Sequence, residues 1–210
     1  MNNLKNIKEI LDLGTPEEKI KILESLSSTN DMEIIQKIIS KLDDDDIQVR
    51  GEAFTSLVLN KNKILDLLIS SLDSQNKNIR GYISLVLSNR NDSDSIPDII
   101  KLTCDQSSMV RACALGALGH LKAKEAKKVI HNCLFDSNLE VRKSAIQATI
   151  DLGDSLSEDE IKEMSKEKDS ELDRLLDNLK REVDRKGFEP SIWCMPCTHP
   201  TRLDDRPNNQ

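Results

Sequence analysis

Arg50, Arg80, Arg111 and Arg142 fall 30, 31 and 31 residues apart, and each follows a β-branched residue: Val49, Ile79, Val110 and Val141. A period this short identifies a tandem array rather than a single globular core. Three residues after each arginine stand Ala53, Ile83, Ala114 and Ala145, and seven after it Leu57, Leu87, Leu118 and Thr149. Offsets of minus one, three, four and seven share one face of a helix, so each arginine marks a helix that buries a narrow apolar stripe. The run from Ala112 to Gly119 is rich in small residues, which permits close helix approach.

Six residues before the arginines come Asp44, Ser74, Asp105 and Asp136, short polar side chains suited to capping a helix or closing a turn. The segments upstream then read as first helices, over about Asp31 to Leu42, Lys61 to Leu72, Ser95 to Cys104 and Lys124 to Phe135. Pro97 falls in a first turn, where its missing N–H costs little. The period continues more weakly to Lys19, which precedes Arg50 by 31 residues, and to Arg174, which follows Arg142 by 32. From Lys19 to Arg174 this makes about six helix pairs. Clear repeats span 31–154, and degenerate caps span 1–30 and 155–186, each presenting a polar outer face.

The unit Asp136-Ser137-Asn138-Leu139-Glu140-Val141-Arg142-Lys143-Ser144-Ala145, with Asp105 to Gly119 before it, resembles the short HEAT-like repeat of phycobilisome lyases and many small scaffold proteins. The resemblance covers roughly residues 15 to 180. It implies an all-α fold, a right-handed α-solenoid superhelix of about six HEAT-like pairs. Ankyrin and tetratricopeptide arrays have other periods and signatures. Deoxyhypusine hydroxylases share the repeat type, and that family's iron chemistry depends on His-Glu dipeptides. Neither His120, His131 nor His199 is followed by Glu, so that activity is not expected.

Aromatic residues make up 2% of the chain, and before residue 187 they are Phe54, Tyr82 and Phe135. The core must therefore come from Leu, Ile, Val and Ala. The scarcity of aromatics also argues against a chromophore cleft of the kind a bilin lyase would need. The net charge of −7 argues against nucleic acid, whose affinity rests on clustered Lys and Arg. No stretch approaches the ~20 apolar residues of a membrane span, and the start lacks a secretory signal. Cys104, Cys113, Cys133, Cys194 and Cys197 are an odd number without a compact disulfide spacing. They fit reduced thiols in a cytoplasmic protein.

The repeated arginines could form an anion-binding row. Their place after Asp44, Asp105 and Asp136 favours a structural ladder instead, in which each guanidinium bonds across the inter-helix turn or to the aspartate of an adjacent repeat. The run Asp43 to Asp46 reads as a helix start, with a cation site or a docking patch for a basic partner as the sharper alternative. The candidate partner surface lies at offsets two, five and nine from each arginine. The first row is Glu52, Tyr82, Cys113 and Ser144, the second Thr55, Leu85, Gly116 and Gln147, and the third Leu59, Asn89, His120 and Asp151. These rows should line a concave inner face whose middle is less charged than its flanks.

After Lys186 the composition changes. The segment from Gly187 to Pro200 holds the single Trp, three of the six prolines, and Cys194, Cys197 and His199. These last three are soft ligands that could contribute to a zinc site, although structural zinc normally takes four. A second reading of 187–210 rests on Gly187-Phe188-Glu189-Pro190. Its codons can contain TTCGAA, which resembles the T arm of a transfer-RNA gene, so the tail is expected to be a disordered read-through of the frame. No catalytic or cofactor site is expected. The functional expectation is a non-enzymatic scaffold for a protein or peptide partner, of unassigned oligomeric state. The alternative is a lyase-like or enzyme-accessory protein acting on a chromophore or a modified protein.

Overall fold

The computed structural model describes residues 2–166 and 168–187, and among them every regular element is helical. The helices alternate along the chain between first and second members of a pair. First members are α1 (Asn2–Leu13), α3 (Met32–Ser40), α5 (Leu65–Ser71), α7 (Ile96–Leu102), α9 (Lys127–Cys133) and α11 (Glu158–Met164). Second members are α2 (Pro16–Ser25), α4 (Ile47–Leu59), α6 (Lys77–Asn89), α8 (Ser108–His120), α10 (Leu139–Leu152) and α12 (Ser170–Gly187). The second helices pack against one another in succession, most extensively α6 on α8 and α8 on α10, so each repeat is built chiefly on its neighbour.

The stripe read from the arginine register is the core. Val49, Ala53 and Leu57 of α4, Val110, Ala114 and Leu118 of α8, and Val141 and Ala145 of α10 are buried. The short first helices contribute Ile34, Ile35, Ile38 and Ile39 from α3, Leu68 from α5, Ile99 from α7 and Ile130 from α9. A seven-residue helix cannot hold itself in water, so α5, α7 and α9 exist because this packing retains them.

The second helices α4, α6 and α10 begin with side-chain caps, and α8 follows Ser107 without one. Asp46 accepts the N–H groups of Gln48 (2.7 Å) and Val49 (3.1 Å), and Asn76 and Asn138 act in the same way at α6 and α10. The residues six before the arginines therefore close the turn, and the helix cap itself lies two positions later. At their other ends α6, α8 and α10 run into Asn91, Lys122 and Gly153, which are left-handed with φ of 58°, 54° and 68°. The following N–H returns to Leu87, Leu118 or Thr149 at 3.0–3.1 Å, the bond of a Schellman ending. This signature also repeats every 31 residues.

Three expectations need correction. First, α5 begins at Leu65 rather than Lys61, because the Asn60 and Asn62 side chains donate to the carbonyl of Thr29 (both 2.8 Å) and hold the intervening chain as a bracket. Second, the expected helix starts at Ser95 and Lys124 are 3-10 turns, Ser93–Ser95 and Lys124–Ala126, which lead into α7 and α9. Third, Arg174 is exposed while Leu172, Leu176 and Leu179 of α12 are buried, so the period reaches α12 as a packing stripe but not as a ladder arginine.

Glycines within the second helices differ sharply in the room around them. A Cβ added at Gly51 of α4 would meet nothing within 4 Å, and the position is exposed. Gly51→Ala is therefore expected to raise stability by about 0.5–1 kcal/mol by removing backbone entropy from the unfolded chain. A thermal or urea melt of the variant checks this.

Candidate functional site

Of the arginines read from the sequence, Arg80 and Arg111 fasten one repeat to the next, and Arg50 and Arg142 hold the turns before their own helices. Arg80 donates from Nε to Asp105 (2.7 Å) and from one Nη to the other carboxylate oxygen (2.9 Å), while its second Nη reaches the carbonyls of Ser74 (2.7 Å) and Gln75 (3.1 Å). Arg111 repeats the arrangement with Asp136 (2.7 and 2.8 Å) and the carbonyls of Asp105 (2.8 Å) and Gln106 (3.4 Å). Two parallel N–H bonds to one carboxylate fix both distance and orientation. Arg50 binds the carbonyls of Asp44 (2.7 Å) and Asp45 (3.1 Å), and the next repeat offers it Ser74 in the aspartate position. Arg142 holds the carbonyl of Asp136 at 2.6 Å. Lys19 takes the ladder position in the first unit, 2.8 Å from Asp44.

Each aspartate of the ladder works twice. Asp105 accepts Arg80 from the preceding repeat and the Ser107 N–H (2.8 Å) of its own turn, and Asp136 does the same with Arg111 and Asn138 (2.8 Å). Burial pushes the Asp105 carboxyl up, but the Arg80 and Ser107 hydrogen bonds and the Arg80 and Arg111 charges hold it below the usual carboxylate range. For Asp136 the Arg111 hydrogen bond is the leading effect, and the net direction is again down. Asp44 is pushed up by burial and brought below its ordinary value by Lys19. Groups whose folded pKa is depressed give stability that is full above about pH 4, the unfolded value, and lost as pH falls through the folded values. The melting temperature is therefore expected to hold between pH 7 and 5 and to drop below about pH 4; a rise on acidification would contradict the ladder.

The acidic run resolves residue by residue. Asp43 accepts from the side chains of Asn76 and of Asn78 (2.6 Å), Asp44 is the ladder carboxylate and Asp46 is the α4 cap. Asp45 alone of the four is exposed with a side chain that has no partner among the described residues, so the run is a helix start tied to the next repeat.

Sequence reading missed several inter-repeat ties, among them those of His131 and Arg90. His131 lies with Nδ1 2.8 Å from Glu160 and Nε2 3.0 Å from Asp154, which joins α9 to the turn after α10 and to α11. Arg90 spans Asp92 (2.7 Å) and the carbonyls of Leu57 (3.2 Å) and Asn60. Neither residue recurs at the arginine period, so no pattern announced them.

With the ladder committed to structure, the surface left to present is the face formed by the second helices. Thr55, Leu59, Asn89, Gly116, His120 and Gln147 are exposed there, and Glu52, Tyr82, Leu85, Cys113, Ser144 and Asp151 are half-buried. Its middle is uncharged. Met109 and Cys113 of α8 lie over Gly81 of α6, with the two sulfurs 3.6 Å apart, and Leu85 borders Gly116. Burial pushes the Cys113 thiol up to about 11, which makes it an apolar packing group rather than a nucleophile. Toward the first repeats, Glu52 is raised above its usual value by burial and by the neighbouring Glu24 charge.

No group of three or more His, Cys, Asp or Glu side chains suited to a metal ion occurs among the described residues. Cys194, Cys197 and His199 lie outside the described residues, as does the tail reading from Phe188 onward.

Comparison with known proteins agrees with this geometry. Residues 65–150 match the family model for HEAT repeats. The structure of the complex of CpcE and CpcF of phycocyanin lyase from Nostoc sp. PCC7120 is similar at a TM-score of 0.61 and 20% identity, over 71% of this chain and 99% of that one. A designed armadillo repeat protein in complex with the peptide (KR)4 is similar at a TM-score of 0.52 and 15% identity, over 84% of this chain and 98% of that one. An engineered protein covers 88% of this chain, with 98% of its own length matched, at a TM-score of 0.53 and 17% identity. No curated protein matches the chain. At these identities the likeness speaks to fold: the chain is an all-helical solenoid of the armadillo and HEAT type, and its residues 65–150 carry HEAT repeats.

Proposed function

We propose that the protein is a non-enzymatic, cytoplasmic interaction scaffold that docks a protein or peptide segment along its second-helix face. The observation that supports this most is the division of labour among side chains. The repeated charges are engaged in bonds between repeats and across their own turns, while the non-repeating residues Tyr82, Leu85, Cys113 and Gly116 form an uncharged strip along the middle of that face. A surface held in advance by bidentate ion pairs loses little conformational freedom on binding, which favours affinity. The designed armadillo repeat protein of similar fold is in complex with the peptide (KR)4, which supports a peptide or protein partner here. No described helix is long and apolar enough to cross a membrane.

Affinity purification from the native host, run in parallel with the full chain and with a chain ending at Lys186, tests the reading. A partner protein recovered in constant ratio with both supports a scaffold that acts through the helical array. Recovery with neither, together with a shifted absorbance spectrum on adding a bilin, would favour the lyase-like alternative that the Nostoc CpcE and CpcF neighbour brings to mind.

A further inference from the structure

The His131 ring on α9 meets a carboxylate at each nitrogen. Nδ1 lies 2.8 Å from Glu160 on α11, and Nε2 lies 3.0 Å from Asp154 in the turn after α10. An ionised carboxylate only accepts, so both contacts are hydrogen bonds only when both ring nitrogens carry protons. A neutral imidazole has a single N–H, and its bare nitrogen would then face an oxygen lone pair. Neither acid relies on the ring for its place. The other oxygen of Asp154 takes Lys127 of α9 (2.8 Å), and the other oxygen of Glu160 takes the Ser157 N–H (2.7 Å) and hydroxyl (2.8 Å). Burial pushes both carboxyls up, but Lys127 and Ser155 on the first, Ser157 on the second and His131 on both bring them below the usual carboxylate range. Both acids are therefore ionised at neutral pH, and with Lys127 they leave one negative charge that an imidazolium balances. Lys124 also lines the cavity beside Asp154, but it is exposed and pairs with neither acid.

Little else holds α11. Seven residues are too few for a helix to persist in water. Each earlier first helix packs on the second helix of its own pair, whereas α11 makes little contact with α12 among the described residues. Its apolar anchors are Met164 and the preceding Leu156, both buried, with Ile161 half-buried. The second-helix row from α4 to α10 packs without α11, so its release is a local opening.

We propose that His131 is a proton-operated latch, which fastens α11 to α9 while the ring is charged and lets α11 open when the ring is neutral. The joint is complete where the acids are ionised and the ring is protonated, and it is lost as pH rises through the imidazole range, about pH 5–8. Opening uncovers Leu156 and Met164, so the C-terminal end of the array is closed on the acid side of neutrality and presents an apolar surface on the alkaline side.

Amide hydrogen exchange on the full chain is the test, with each segment's rate compared with its unstructured rate at the same pH. From about pH 6 to about pH 8 the protection of residues 158–164 should fall about tenfold, the effect of losing one charge-assisted hydrogen bond. Protection of 108–120 in α8 should stay constant, in the parent and in each variant, as the sign that the array is folded. His131→Gln, which cannot take up the proton, should show the low protection of 158–164 at both pH values. His131→Arg, which keeps its charge and can bond both acids, should show the high protection at both. His120→Gln, at the exposed end of α8, should keep the parent's dependence. Equal protection of 158–164 at the two pH values in the parent overturns the latch, as does a His131→Gln protein that retains the parent's dependence.

Discussion

Arg111→Ala is expected to lower the stability of the array by about 2–4 kcal/mol, because it leaves the buried side of Asp136 without its bidentate partner and frees the carbonyls closing the turn before α8. The Arg111 and Asp136 side chains are 15% and 13% exposed, so solvent screens the pair only partly. Arg111→Lys should recover only a fraction, since an ammonium group cannot make two parallel bonds and reach the turn as well. Arg50→Ala should cost less, about 1 kcal/mol, because Arg50 binds backbone carbonyls and has Ser74 where Arg111 has a carboxylate. Urea melts of the three variants measure the gradation. An Arg111→Ala protein that melts like the parent but loses its partner would return the arginines to a functional role.

Gly119→Leu should be of similar severity, about 3 kcal/mol, for a steric reason. A Cβ at Gly119 would stand 2.9 Å from the Ala148 Cα and 3.0 Å from Asp151 Oδ2, and the backbone of α10 cannot yield as a flexible side chain could. The α8 and α10 contact is among the most extensive between helices, so a wedge there should open the second-helix row at its best-packed joint. Three residues earlier, a Cβ at Gly116 would stand 4.0 Å from Leu85 Cδ2. Gly116→Ala should therefore be tolerated or slightly stabilising. Melting curves that rank the two glycines in the opposite order would show that α8 and α10 pack differently.

The fold was legible because its repeating physics is local. Helical offsets from Arg50, Arg80, Arg111 and Arg142 marked the buried stripe, and the preceding aspartates marked the turns. What sequence could not show was which neighbour each charged group would meet. The partner of Arg80 lies 25 residues on at Asp105, a distance that belongs to the stacking of repeats rather than to any one helix. The same holds for His131 with Glu160. The α5 start was missed because Asn60 and Asn62 bind the chain at Thr29, a contact made only after the first repeats have packed. The offsets named the residues of the second-helix face, but how deeply each would sit was not readable from them, because the cover that Met109 and Cys113 give Gly81 belongs to the packing of α8 on α6.

The central claim, that the second-helix face is where a partner docks, is tested most directly by site-specific photo-cross-linking in extract from the native host. A photoreactive residue at position 82 or 85 is compared with one at position 101 on α7, where Lys101 is exposed and bonded only within its own helix to Asp98 (2.7 Å). The account predicts one dominant protein adduct from positions 82 and 85 and none from position 101. An adduct from position 101 with silence at 82 and 85 would contradict it.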